Sequence, residues 1–146
     1  MFTITYDKVP TFVIVGRKKY YLTYNAIYSC PNFRIRSSIK NTMKSYLIKE
    51  LNNITLRDKD RVSTLKALFE EKQLIFSILY SSGKRTFDLD NRAGLWAKVF
   101  LDLIKGRFIK DDSVKYVTMI QYGFDYCKGA SLDSFVITIE IGGDAE

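Results

Sequence analysis

Asp88 and Asp90, in the stretch Arg85-Thr86-Phe87-Asp88-Leu89-Asp90-Asn91, are the residues best placed by type and spacing to do chemistry. A second acidic pair, Asp111-Asp112 after Lys110, follows an intervening apolar run. On an extended segment, carboxylates at i and i+2 point the same way. Like charges about 4 Å apart repel by roughly 4 kcal/mol at an effective dielectric of 20. A fold that gathers them therefore calls for a cation, and a divalent-metal site built from this stretch is the central expectation. The competing role is helix capping, which Asp88, Asp90 or Asn91 could each perform. Alternation puts Phe87 and Leu89 inward and the two aspartates together on the other side, which favours the metal role.

The rest of the composition narrows that chemistry. The chain has no histidine, so Ser-His-Asp and Cys-His catalysis and histidine-held metals are excluded. Cys30 and Cys127 lie far apart with no C-x-x-C context, which excludes a zinc ribbon and a disulfide framework. An oxygen-only donor set favours Mg²⁺ or Mn²⁺. A net charge of +7 suits a polyanion, and nucleic acid is a better account of it than solubility alone. With 146 residues, 47% of them hydrophobic, the expectation is a single domain over residues 1–146 with its own core. Neither a membrane-length apolar run nor a signal peptide is present, which points to an intracellular, cytoplasmic protein with no membrane partner.

Several elements must position the acidic stretch. Phe2 to Tyr6 and Thr11 to Val15 read as strands, expected as an edge pair because of Pro10. Gly16-Arg17-Lys18-Lys19 reads as a basic turn, and Tyr20 to Tyr28 as aromatic and irregular. A helix is expected from Ser37 or Ser38, with Ile39, Met43, Leu47 and Leu51 as its buried stripe and Asn52-Asn53 as its end. A shorter helix from Arg61 to Glu71, capped by Asp60, precedes a strand over Gln73 to Ser81 and a basic turn at Ser82-Gly83-Lys84-Arg85. Lys105-Gly106 stops the next helix, Val114 to Tyr122 and Ser134 to Ile141 read as strands, and Gly123 to Asp133 joins them as a loop or wide hairpin connection. Residues 142–146 read as a disordered tail. The order predicts an α+β fold, a small mixed sheet covered by helices.

The helix over Ala93 to Ile104 is apolar nearly all round, as in a buried or interface helix. Its two charges, Lys98 and Asp102, share a face at i, i+4, either as an exposed pair or lining the cleft that holds Asp88 and Asp90.

Phe87-Asp88-Leu89-Asp90-Asn91, then Lys98-Val99-Phe100-Leu101-Asp102, then Lys110-Asp111-Asp112 resembles the RusA family of Holliday junction resolvases, which carries a D-x-D-N element, a K-x-x-x-D helix and a D-D pair in this order. The similarity covers Leu74 to Ile141, with a looser likeness at Leu22 to Tyr28. The family lysine usually stands four residues after the second Asp of D-x-D-N. Here that position is Gly94, and Lys98 fits if Arg92-Ala93-Gly94-Leu95 is an insertion. The resemblance implies a RusA-like fold and a Mg²⁺-dependent endonuclease cutting branched DNA, a four-way junction, as a homodimer. By it, Asp88, Asp90 and Asp112 are metal-binding catalytic carboxylates, Lys98 is a supporting cation, and Asp111 either joins the set or forms the turn. Arg17, Lys18, Lys19, Arg34, Arg36, Lys40, Lys44, Lys84 and Arg85 would neutralise DNA phosphates. The runner-up is a non-catalytic DNA-binding or regulatory protein on the same fold. A third reading is a structural cation site with no DNA partner.

Overall fold

A computed structural model of the chain describes residues 1–61, 63, 67, 73–84, 88–105 and 117–142. The chain is an α+β domain in which helices pack on a four-stranded mixed sheet. In chain order the elements are β1 (Phe2–Val9), β2 (Phe12–Val15), β3 (Lys18–Tyr21), α1 (Tyr24–Tyr28), α2 (Phe33–Arg57), β4 (Leu74–Ser82), α3 (Leu89–Ile104), β5 (Val117–Tyr126) and β6 (Asp133–Ile141). The sheet order is β1-β6-β4-β5, with β5 parallel to β4 and the other pairs antiparallel. Parallel β4 and β5 require a crossover, and α3 supplies it. Among the described residues no helix is long and apolar enough to cross a membrane.

The two N-terminal strands do not pair with each other as their sequence suggests. β1 runs on to Val9 and pairs with β6, while β2 pairs with β3 as a separate hairpin. The reason is local: Gly16 adopts φ +67, a left-handed conformation glycine takes without strain, and closes β2 onto β3 in a two-residue turn. Lys18 and Lys19 thus belong to a strand. The segment read as irregular instead ends β3 and forms α1, whose first turn is capped by Thr23 Oγ1 accepting from Ala26 N–H.

Helix α2 starts earlier and ends later than its sequence suggests. Asn32 Oδ1 accepts from the amides of Arg34 and Ile35, so the cap precedes Ser37. The stripe Ile39, Met43, Leu47 and Leu51 is buried as the spacing predicts, and burial of Ile54 carries the helix through Asn52-Asn53. The propensity cost of an asparagine, at most about 0.7 kcal/mol, is smaller than the 1.5–3 kcal/mol scale of burying such a side chain. Beyond it Asp58, not Asp60, accepts from Arg61 N–H at 3.0 Å. The remainder of the expected helix to Glu71 lies largely outside the described residues.

Alternation organises the core. Phe2, Ile4 and Tyr6 of β1, Phe135, Ile137 and Ile139 of β6, and Leu74, Phe76, Ile78 and Tyr80 of β4 all face the helices. The apolar surplus of α3 that suggests a subunit contact is consumed here instead: Trp96 packs against Tyr46 of α2 and Phe135 of β6, and Phe100 against Phe76. Among the described residues, exposed apolar side chains gather rather on β5, an edge strand. The connection from β5 to β6 is not a hairpin, because β4 lies between them. It passes the end of β4, where Cys127 N–H donates to Ser82 O at 3.0 Å and Gly83 leaves no room for a Cβ against the Ala130 carbonyl. Gly142, read as the start of a tail, donates its N–H to Gln73 O at 2.7 Å.

Candidate functional site

The acidic pair is not on a strand. β4 ends at Ser82, Asp88 is the extended residue at the N-cap of α3, and Asp90 sits in that helix's first turn. An acid there is favoured by the partial positive charge of the helix N-terminus. The capping role offered by the sequence is filled by none of the three candidates. Asp88 makes no side-chain cap bond, and Asn91 Oδ1 instead accepts from Asn25 N–H at 2.9 Å, tying α1 to α3. The convergence expected from alternation is reached by another route: Asp88 and Asp90 line one open cleft of about 320 Å³ with Tyr24, Asn25, Asn91 and Tyr122. Both carboxylates are exposed, and among the described residues neither makes an ion pair or hydrogen bond.

Two tyrosines wall this cleft. Tyr24 lies against Gly94, where a Cβ would stand 3.1 Å from Tyr24 Cε2 and 3.5 Å from Tyr122 Oη. Its ring stacks on Tyr28 with centroids 5.3 Å apart, and Lys40 Nζ sits 4.7 Å from the Tyr28 ring. A stack thus runs from the cleft to α2. Burial pushes the Tyr24 phenol up to about 12, helped by Tyr28, Tyr122 and Asp102. Burial, then the charge of Asp90, raises the Tyr122 phenol as well. Both are neutral O–H groups at ordinary pH, able to donate to an anion.

The position the RusA-like pattern reserves for lysine is therefore a glycine covered by a tyrosine ring. α3 is continuous from Leu89 to Ile104, so no loop absorbs an insertion. Lys98 lies about two turns, or roughly 12 Å along the axis, beyond Asp90. It is half-buried, outside the cleft lining, and forms no ion pair with Asp102. Asp111, Asp112 and Arg85 lie outside the described residues. Among the described residues no three acidic or cysteine side chains gather at one point. Of the basic residues, Arg17, Lys18 and Lys19 are exposed on the β2–β3 hairpin and Lys84 just after β4. Arg34 and Arg36 stand near the start of α2, with Lys40 and Lys44 half-buried further along it.

One acid stands out from the structure alone. Asp133, 5% exposed, accepts from Tyr80 Oη at 2.5 Å, Ser82 Oγ at 2.7 Å and Arg92 Nη1 at 3.1 Å. Its signal was in the alternation: residue 133 shares the inward parity of Phe135, Ile137 and Ile139. Arg92 belongs to α3, so this network fixes the helix that carries Asp88 and Asp90.

Compared with known proteins, the chain matches no family model and no curated sequence.

Proposed function

We propose that the chain is a Mg²⁺-dependent endonuclease that cuts branched DNA, with a four-way junction as its substrate, on a RusA-like plan. The observation that supports this most is the convergence of Asp88 and Asp90 in one open cleft with no protein partner among the described residues. The donor set fits the ion: two exposed carboxylates with neighbouring amide and phenol oxygens suit Mg²⁺, which takes one or two carboxylates and completes its shell with water and phosphate. Asp88 and Asp90 would hold it, with Asp112 as the third carboxylate of the pattern, and Mn²⁺ would substitute. The bound ion supplies Lewis acidity and a water of lowered pKa. Tyr24 and Tyr122 would donate their O–H groups to phosphate oxygens, and Asn91 keeps α1 against the cleft. Lys98 would hold a neighbouring phosphate, and Lys40, together with the other basic residues, the arms of the substrate.

A junction needs two symmetric cuts, so the active species in this reading is a two-fold homodimer. The alternative, a DNA-binding protein that has lost the nuclease, is motivated by Gly94 and the Tyr24 ring standing where a catalytic lysine is expected. Incubating a mobile four-way junction with and without Mg²⁺ separates them. Paired cuts that require the metal uphold the nuclease; tight, salt-sensitive binding with no cuts upholds the alternative.

A further inference from the structure

The β2–β3 hairpin has two faces, and folding explains one of them. Register pairs Phe12 with Tyr21 and Ile14 with Lys19, so these four side chains share the outer face. Val13, Val15 and Tyr20 on the inner face pack against the core. A two-stranded ribbon is marginal by itself, and that inner packing is what holds it. The outer face does none of this: Phe12, Ile14 and Tyr21 are 40%, 65% and 54% exposed. Lys19 Nζ lies 4.0 Å from the Phe12 ring centroid and 5.0 Å from that of Tyr21. Arg17 in the turn adds a second cation, and residues 11–23 contain no acid. Lys18, paired with Val15, lies on the other face, its Nζ 5.4 Å from the Tyr20 ring centroid. Leu22 and Thr23 then lead directly to Tyr24 in the wall of the acidic cleft.

We propose that this outer face is a platform for unpaired nucleic-acid bases, with Phe12 and Tyr21 stacking on them and Arg17 and Lys19 holding the flanking phosphates. The inference rests on the branched-DNA reading and names the part of the branch that the hairpin takes: the bases splayed out where strands exchange. The occupant follows from the chemistry. Two cations with no intervening acid complement a polyanion. A flat aromatic face accepts any base, but only a base that has left its stack. The contact of Lys19 with the rings is weak at an exposed site, so the ammonium can move to a phosphate as a base takes the ring face.

Fluorescence anisotropy of the full chain in EDTA tests this without cleavage intervening. The probes are a duplex, the same duplex with an unpaired bubble, and a four-way junction. Wild type should prefer the bubble and the junction to the duplex. Phe12→Leu with Tyr21→Leu keeps apolar bulk but removes the ring faces. It should lose about tenfold in bubble affinity while duplex affinity stays within about twofold. Arg17→Ala should weaken all probes alike and flatten the slope of log affinity against log salt by about 1. Should the leucine pair lower the melting temperature, Tyr21→Leu alone makes the same comparison. Unchanged bubble binding by the leucine variant overturns the platform, and so does a wild type that binds anionic phosphatidylserine vesicles or an acidic peptide more tightly than the bubble. A wild type that binds the bubble but cuts nothing with Mg²⁺ ends the nuclease reading and leaves the platform standing. One that cuts junctions while its leucine variant binds as well as wild type does the reverse.

Discussion

The first half of α3 carries acid chemistry on two sides, and the two sides obey different rules. Residues 90 and 92 are about 200° apart around the helix, so Asp90 and Arg92 face opposite ways. On the Arg92 side, Asp133 is buried and receives hydrogen bonds from a phenol, a hydroxyl and a guanidinium. A buried charge persists only when it is paired and hydrogen-bonded, and this one is. On the cleft side, Asp88 and Asp90 are hydrated and close in sequence, and no described cation offsets their repulsion. The fold depends on the first acid and gains from the other two only the small contribution of an acid at a helix N-terminus. Changes at Asp133 should therefore read out as stability, and changes at Asp88 or Asp90 as activity.

The sharpest way to break this contrast is Asp90→Asn. Junction cleavage should fall by about three orders of magnitude, the scale of losing a group that stabilises transition-state charge. Stability should stay within about 0.5 kcal/mol of wild type, as at other exposed positions. Junction binding should hold or strengthen, because a negative charge facing phosphate is gone. Near-normal cleavage by this variant would remove Asp90 from the site. Asp133→Asn is the mirror experiment. It leaves one acceptor oxygen where Tyr80 and Ser82 use two, and it takes the counter-charge from Arg92; breaking a buried pair costs about 3–5 kcal/mol. Urea unfolding should show that loss, near its lower end because Arg92 retains some solvent contact. An unchanged urea midpoint would mean that the network does not anchor α3.

The unequal legibility of these two sides in the sequence has physical causes. The D-x-D-N run and the apolar helix after it were visible because composition and short-range period carry them. The secondary structure around the acids is not legible in the sequence, since Phe87-Asp88-Leu89-Asp90 alternates as a strand would although its last two residues begin a helix. The stripe from Ile39 to Leu51 was legible from its spacing of four. The pairing of β1 with β6, and the placement of β4 between β5 and β6, were not, because strand pairing is decided by contacts distant in sequence. Asp133 was discoverable from its parity with Phe135. Nothing local in Tyr24 or Gly94 announces that one covers the other, and Asp112 is not among the described residues.

The tyrosines on both sides of α3 give a pH test of intermediate size. Burial raises the Tyr80 phenol, with Asp133 adding to it, and raises Tyr24 to about 12 from an ordinary value of 10. In the unfolded chain these phenols ionise near pH 10, while the folded chain still holds their protons. The stability they provide is therefore fully present below pH 10 and lost as pH rises through the folded values. Urea midpoints should be level with respect to these groups up to about pH 10 and then decline. Tyr24→Phe should flatten the part of the decline that falls between pH 10 and about 12. An equal decline in that variant would assign the whole effect to the other buried phenols.

The smallest effect concerns the cleft side again and asks whether its floor is as tightly made as the Asp133 network. A glycine inside a helix is about 1 kcal/mol less favourable than alanine, so Gly94→Ala should stabilise α3 if nothing opposes it. The ring of Tyr24 does oppose it, since the new Cβ would stand 3.1 Å from Cε2 and the ring must give by a few tenths of an ångström. That ring is itself held by its stack on Tyr28 and by the Asn25–Asn91 bond that fixes α1. The two contributions should nearly cancel, leaving Gly94→Ala within about 0.5 kcal/mol of wild type. In a Tyr24→Ala background the opposition is gone, and the same substitution should recover the full gain of about 1 kcal/mol. Urea unfolding of the four proteins in this cycle gives the coupling directly. If Gly94→Ala yields the full gain with Tyr24 in place, the ring is free to move off α3, and the wall of the cleft opens and closes on the acids rather than standing fixed beside them.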